Sequence, residues 1–440
     1  MSREKLYGWG RTAPSVAEVL EPSADDVASL LRTATHVLPR GLGRSYGDAA
    51  QLAGGLVLRN SAMTTMDEIA ADGSVWADAG VTIDDLIRVG LPQGWFVPVT
   101  PGTRQVSVGG AIAADVHGKN HHVDGSFGHH VLAMTLATPT GIIECSPTKH
   151  TELFWATLGG MGLTGVVLRA RIQLLAVTSD KVVVDTTRFA NLEAVMHEMQ
   201  SGDHRYRYSV AWVDCMTTGA SMGRAILTRG DHAEGRGDEL AAPKDAKVAV
   251  PFNAPSGLLN GLSIRAFNEL WFRMAPKQRR AEEQTIGTFF HPLDGVRDWN
   301  RLYGRKGFVQ YQFAVPDSAS EAVVNAIKML AESRVPSFLA VLKRFGEGTP
   351  GPLSFPMPGW TLALDLPVGP SALPHVLDRL DQLVLEAGGR VYLAKDSRLD
   401  STTFRAMYPR CSELLEIKHS VDPNSIITSD LARRLELIRK

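Results

Sequence analysis

Along the first part of the chain, apolar positions repeat with two periods, one suited to short helices and one to strands, so the two element types should alternate. Pro22-Ser23-Ala24-Asp25-Asp26 offers an N-cap with a carboxylate three residues later, which starts a helix through Leu31. His36-Val37-Leu38-Pro39-Arg40 leads into a glycine loop. Residues 74–79 read as a strand, and Thr82-Ile83-Asp84-Asp85 caps a short helix after it. A helix near Glu152-Leu153-Phe154-Trp155 is expected to give way to a second glycine cluster and then to a strand over 166–174, where apolar residues partly alternate with Arg169, Arg171 and Gln173.

The pattern changes near residue 177. Residues 229–247 are rich in Gly, Asp, Glu, Arg and Lys with no apolar period, which predicts a mobile loop. Strand, helix, strand, strand, helix, strand follow at 308–315, 319–332, 337–343, 360–366, 373–387 and 390–392. That order suits an antiparallel sheet backed by helices and places the chain in the α+β class.

Composition narrows the function classes. A chain of 440 residues with 44% hydrophobic and 21% charged residues is a globular protein of two or three domains. Lys plus Arg number 46 against 47 for Asp plus Glu, so nothing electrostatic points to nucleic acid. Cys145, Cys215 and Cys411 are too few and too widely spaced for a disulfide framework or a CxxC metal site. The N-terminus lacks the apolar core of a signal peptide, and no apolar run approaches the ~20 residues of a membrane span. The expectation is a cytoplasmic protein, or one peripheral at a membrane.

The candidate chemistry lies in three glycine loops, at 41–47, 101–110 and 159–165. Glycine lets a backbone approach a ligand closely and present N–H groups to an anion. Three such loops so close together suggest a long ligand with a pyrophosphate in the middle. Gly160-Met161-Gly162-Leu163-Thr164-Gly165 matches GxGxxG by letter, but a dinucleotide fingerprint needs a strand before it and a helix after it. The expected order is the reverse. His117, His121, His122, His129 and His130 crowd one stretch, yet no HExxH and no cysteine or carboxylate cluster completes a metal shell, so no metal site is expected. One of these histidines is expected to face a cofactor.

Gly41-Leu42-Gly43-Arg44-Ser45-Tyr46-Gly47, Pro101-Gly102-Thr103 through Val108-Gly109-Gly110-Ala111, His117-Gly118 and the run from Gly159 to Val166 resemble the FAD-binding motifs of the vanillyl-alcohol oxidase superfamily. Further segments resemble its branch of polyprenylphosphoryl-ribose 2-oxidases and extend the likeness over nearly the whole chain. They include Gly8-Trp9-Gly10-Arg11, His117-Gly118-Lys119-Asn120, Gln310-Tyr311-Gln312-Phe313 and Ala394-Lys395-Asp396-Ser397-Arg398. The resemblance implies a two-domain (PCMH-type) fold, with FAD held by residues 1–176 and 391–440 and a substrate domain inserted at 177–390. It places FAD against Arg40, Gly41, Leu42, Gly43, Arg44, Ser45, Tyr46, Pro101, Gly102, Thr103, Val106, Gly109, Gly110, Ala113, His117, Gly118, Asn120, Gly165, Val166 and Tyr392. Covalent members often carry a histidine before the serine of the first loop. Arg44 stands there instead, which implies non-covalent FAD.

By the same resemblance, Lys395 and His117 lie at the reactive end of the flavin, one of them taking or relaying the hydroxyl proton. Read alone, Lys395 is more readily a surface lysine paired with Asp396. Gln310 and Gln312 point the same way from one strand, as Lys343 and Phe345 do from the next, and could hold substrate; Trp9 could also reach the site. Thr361 and Ala363 stand where the branch has a polar amide and a thiol, and would line the pocket. The implied reaction is oxidation of the 2-hydroxyl of a lipid-linked sugar phosphate to a 2-keto sugar. It implies a quinone-like electron acceptor and a separate NAD(P)H-dependent keto-sugar reductase as partner. Oxidation of a soluble sugar, alditol or nucleoside, and flavin binding without turnover, stay open. Residues 248–262 could receive a prenyl chain, touch a membrane, or be core.

Overall fold

The computed structural model describes residues 2–235, 240–246, 248–255 and 257–438. Two four-stranded sheets form its first part. In the first, the strands run in the order Ser2–Leu6, Ser15–Leu20, Leu56–Arg59, Val37–Arg40; in the second, Ser74–Asp78, Val166–Gln173, Val131–Thr138, Gly141–Cys145. The expected helix near the N-terminus spans Ala24–Thr33, with Val27 and Leu31 buried. Thr82 and Asp85 complete a reciprocal capping box on the helix Ile83–Gly90, so two of its free N–H groups are satisfied at once. The helix Thr151–Thr157 precedes the GxGxxG segment and the strand Val166–Gln173 follows it, so the fingerprint fails on element order.

The later half is one antiparallel sheet of eight strands. Its order is Gln278–Thr285, Lys181–Phe189, Ala225–His232, Tyr208–Val213, Ala340–Phe345, Gly359–Pro367, Phe308–Pro316, Arg390–Val391. Helices Glu321–Ser333 and Leu373–Glu386 cover it. The first buries Val323, Ala326, Ile327 and Leu330, the second Leu373, Val376, Leu377, Leu380 and Val384, both at helical spacing. These side chains join Phe313, Leu362 and Leu364 of the sheet in one core.

The 229–247 loop is shorter than the sequence implies. Its first residues end the strand Ala225–His232, because Arg229 is buried with its charge matched by Glu198 at 2.5 Å and Asp203 at 3.6 Å. Positions 236–239 and 247 of that loop lie outside the described residues.

After the sheet, the chain returns to the N-terminal part. Ile427 bridges to Val37, and Arg434 pairs with Asp48 at 2.8 Å and Asp396 at 2.9 Å. The buried Lys418 ammonium donates to Asp422 at 2.5 Å and to the carbonyls of Ile427 (2.8 Å) and Leu163 (3.2 Å). Through Leu163 it ties the helix Cys411–Val421 to the third glycine loop.

Candidate active site

All three glycine loops and the inner ends of the large sheet converge on a cavity of about 740 Å³. That lies within the range of about 300–1,000 Å³ typical of cofactor and ligand pockets. Gly43 has φ +65°, a left-handed conformation costly for any residue with a Cβ. A Cβ on Gly47 would sit 1.9 Å from the Asp396 carbonyl, so only glycine lets the first loop meet the turn that carries Lys395. The Tyr46 N–H donates to the Ala394 carbonyl there at 2.9 Å.

His117 is held from behind. Buried Asp115 accepts from Ser126 Oγ (2.9 Å), the Gly128 N–H (2.9 Å) and Thr349 Oγ1 (3.0 Å), which fixes the loop on both sides of the histidine. The imidazole lies 4.8 Å from the Phe345 ring and meets Gln312 Nε2 at 2.9 Å and Lys343 Nζ at 3.1 Å. Lys343 also donates to the Gly118 carbonyl at 3.3 Å. Burial first, then the nearby Lys343, His121 and Lys395, push the His117 pKa well below the usual histidine value. A neutral imidazole has one lone pair and one N–H. Gln312 Nε2 donates to the lone pair on Nε2, so Nδ1 carries the proton and points it at Lys343 in its neutral form.

Lys395 is not paired with Asp396, which instead accepts from the Arg398 and Leu399 N–H groups. The ammonium rests 4.0 Å from the centre of the Tyr46 ring. Burial lowers its pKa to about 8, opposed by Asp365. Burial, then Lys119 and Lys395, brings Lys343 to about 7. Asp365 in turn is raised to about 7 by burial, and accepts from Gln310 at 2.5 Å and Tyr303 at 3.4 Å. Two lysines able to exchange a proton near neutral pH, and a histidine held neutral, therefore face one cavity, a pattern suited to acid–base work.

Most of the expected site residues line this cavity: the glycine-loop positions, Trp9, Gln310, Gln312, Lys343, Ala363, Tyr392, Lys395 and His117. Four do not. Phe345 lies behind His117, packed on its ring and that of His121. Thr361 is buried beneath the wall, accepting from Gln312 Nε2 (3.1 Å) and donating to the Phe313 carbonyl (2.8 Å). Asn120 braces its loop through the Pro98 carbonyl at 2.8 Å, and Gly118 contributes only its carbonyl to Lys343.

Other lining residues were not anticipated. Asp294 accepts from Thr103 Oγ1 (2.6 Å) and the Arg104 N–H (2.8 Å), while Trp299 and Leu339 complete the far wall. Asp365, buried behind the wall under Gln310, had a signal: it continues the alternation of Thr361 and Ala363 along one strand. Trp299 and Leu339 had none, since only the fold brings them to the cavity. Among the described residues, no group of three His, Cys, Asp or Glu side chains could hold a metal ion. His121 accepts from the Gly346 N–H at 3.1 Å, and His122 meets the Tyr206 carbonyl at 3.0 Å.

Comparison with known proteins gives this geometry its chemistry. Residues 17–146 match the FAD binding domain family. Over 99% of this chain and 98% of the relative, the sequence is 43% identical to the decaprenylphosphoryl-beta-D-ribose oxidase of Mycolicibacterium smegmatis. An uncharacterized protein from the mprA 5′ region of Streptomyces coelicolor is 38% identical over 81% of this chain and all of its own length. Cytokinin dehydrogenase 3 of Oryza sativa is 32% identical, but over only 36% of this chain and 33% of its own. The cavity fits the cofactor so implied: glycine loops line it, Arg40 and Arg44 offer positive charge, and the lysines and His117 line it as well. The chain is an FAD-dependent oxidoreductase with the PCMH-type FAD domain, and it belongs to the decaprenylphosphoryl-β-D-ribose oxidase family.

Proposed function

We propose that the protein oxidises the 2-hydroxyl of a polyprenylphosphoryl ribose to the 2-keto sugar, as the first half of a 2-epimerisation to the arabinose form. The observation that carries this reading is the convergence of His117, Lys343, Lys395, Gln310 and Gln312 on the cavity that the glycine loops also line. When bound, FAD supplies a two-electron acceptor for the carbinol hydride. We assign it to residues 1–176 and 391–440, with 177–390 as substrate domain, and expect non-covalent binding because Arg44 stands in the first loop.

The chain's own residues do the rest. Gln310 and Gln312 reach the cavity from alternate positions of one strand, where their amides bond sugar hydroxyls. Asp365 fixes the Gln310 amide from below. Lys395, half-buried over Tyr46, accepts the hydroxyl proton in its neutral form. His117 keeps Lys343 and Gln312 in place and is the second candidate, relaying that proton through Lys343. Lys343 in its charged form holds the substrate phosphate at the rim. Around this core the reading adds a quinone-like electron acceptor and a separate NAD(P)H-dependent keto-sugar reductase.

Anaerobic mixing with a polyprenylphosphoryl ribose should bleach the flavin. Bleaching by free sugars, alditols or nucleosides, with none by the lipid-linked sugar, overturns the reading in favour of a soluble-substrate oxidase.

A further inference from the structure

Among the described residues, twelve large apolar side chains are exposed, and eight of them fall between positions 248 and 274. They include Phe252 at 71%, Leu262 at 80% and Met274 at 70% exposure. Of the described residues in the 248–262 segment only Ala254 is buried, so they are not core. Within the helix Gly261–Met274, only Ile264 and Asn268 face inward and are buried, Asn268 donating to Asp214 at 2.8 Å. Phe267, Leu270, Trp271 and Met274 follow at i, i+3, i+4 and i+7, the spacing of an apolar stripe, yet all four are exposed. In a soluble protein such a stripe marks an interaction surface.

Charge indicates what covers it. Residues 261–281 carry Arg265, Arg273, Lys277, Arg279 and Arg280 against Glu269 alone, within a chain whose net charge is -1. All five cations are exposed; Arg273 pairs with Glu269, Arg279 with Glu282 and Arg280 with Asp185, while Arg265 on the helix and Lys277 just beyond it flank the stripe. An apolar stripe flanked by cations is the signature of a helix lying in the interface of an anionic bilayer. The stripe is also continuous with the cavity. The Phe267 ring stands 4.7 Å from Phe338, which packs with Trp299, Tyr303 and Phe308, and Trp299 and Leu339 line the cavity itself. No helix among the described residues is long and apolar enough to cross a membrane, so any contact is lateral.

We propose that the helix Gly261–Met274 and the apolar segment before it dock on an anionic lipid surface, setting the mouth of the cavity against the bilayer. This deepens the reading of a lipid-linked substrate and rests on it for its purpose: a polyprenyl tail stays among lipids while the sugar passes along the apolar run to Gln310 and Lys395. A surface for a second copy or for a protein partner is the competing occupant, disfavoured by the flanking cations.

The test is sedimentation of the FAD-loaded full chain with vesicles of phosphatidylcholine alone or mixed in equal parts with phosphatidylglycerol. Wild type should pellet with the mixed vesicles and be released by high salt. Leu270→Ser/Trp271→Ser/Met274→Ser should lower the vesicle-bound fraction about tenfold, and Arg265→Gln/Lys277→Gln should weaken binding to the mixed vesicles alone. Both variants should keep wild-type flavin content and wild-type flavin bleaching by a short-chain, water-soluble substrate analogue, which shows them folded. Wild type that stays in the supernatant, or apolar variants that pellet as wild type does, overturns the proposal. So does self-association without vesicle binding, which assigns the face to a second copy. Vesicle binding needs no turnover and bleaching needs no vesicle, so failure here and failure of the substrate reading are distinguishable.

Discussion

Replacing Lys343 by methionine removes a charge that the fold shelters at a cost, and the cost should be visible as a pH-dependent gain in stability. The ammonium carries its proton in the unfolded chain up to about pH 10.5, but in the folded cavity only up to about pH 7, because burial and the neighbouring Lys119 and Lys395 disfavour it. Between those values the unfolded state binds more protons, so wild-type stability rises with pH. Below about pH 7 the cost is present in full, with a ceiling of about 5 kcal/mol at about 1.4 kcal/mol per pH unit. Water in the open cavity lowers that ceiling. Loss of the contacts to His117 Nδ1 and the Gly118 carbonyl offsets about 1–2 kcal/mol more. The net expectation for Lys343→Met is a gain of about 1–3 kcal/mol near pH 6, shrinking steadily toward pH 9 as the wild-type lysine gives up its proton. Urea unfolding of flavin-stripped wild type and variant across that range measures it, with flavin bleaching of the FAD-loaded proteins as the record of the activity lost. The slope decides: a difference in stability that is the same near pH 6 and near pH 9 refutes the reasoning, whatever its sign.

Lys395→Ala should retain FAD yet slow flavin reduction by substrate about 10²–10⁴-fold, the usual worth of a positioned acid–base group; stopped-flow bleaching at the wild-type rate would remove Lys395 from the mechanism. Acid precipitation should release yellow flavin into the supernatant, whereas colour retained in the pellet would contradict non-covalent binding. Lys418→Met should cost about 3–5 kcal/mol in urea unfolding, because it leaves the Asp422 carboxylate buried without its cation, and should loosen FAD through the third glycine loop; a loss below about 1 kcal/mol would mean the pair is not sealed from water. All three native cysteines are buried, and burial pushes the Cys145 thiol up to about 12. A maleimide should therefore leave native protein unlabelled and label Ala363→Cys once on the cavity wall, as mass spectrometry would record.

Much of the architecture was legible in the chain because its signals are local. The capping box at Thr82, the helical spacing of Val323, Ala326, Ile327 and Leu330, and the helix–loop–strand order around Gly160-Met161-Gly162 depend on neighbours within a few residues. Those signals alone dismissed the nicotinamide reading and set the α+β class. The glycine loops and the pairing of Gln310 with Gln312 on one strand face were likewise readable, since strand alternation fixes which side chains share a side.

Depth was not legible. Alternation placed Thr361 and Phe345 on the faces that carry Ala363 and Lys343, but whether such a position reaches the cavity depends on what packs over it. Gln312 covers Thr361, and Phe345 is spent supporting His117. Arg229, polar by composition and assigned to a loop, is buried in a strand because Glu198 and Asp203 arrive from a different element to match its charge. The exposure of Phe267, Leu270, Trp271 and Met274 also escaped the sequence. An apolar stripe looks the same whether it faces a core or a lipid surface, and only the packed structure leaves it uncovered. By itself the sequence determined the elements, their order and the residue types that can carry flavin chemistry. The tertiary structure decided which of them meet. It brings His117 together with Lys343 and Lys395, each more than 200 residues further along the chain, and burial in that shared cavity gives their nitrogens proton affinities that none would have alone.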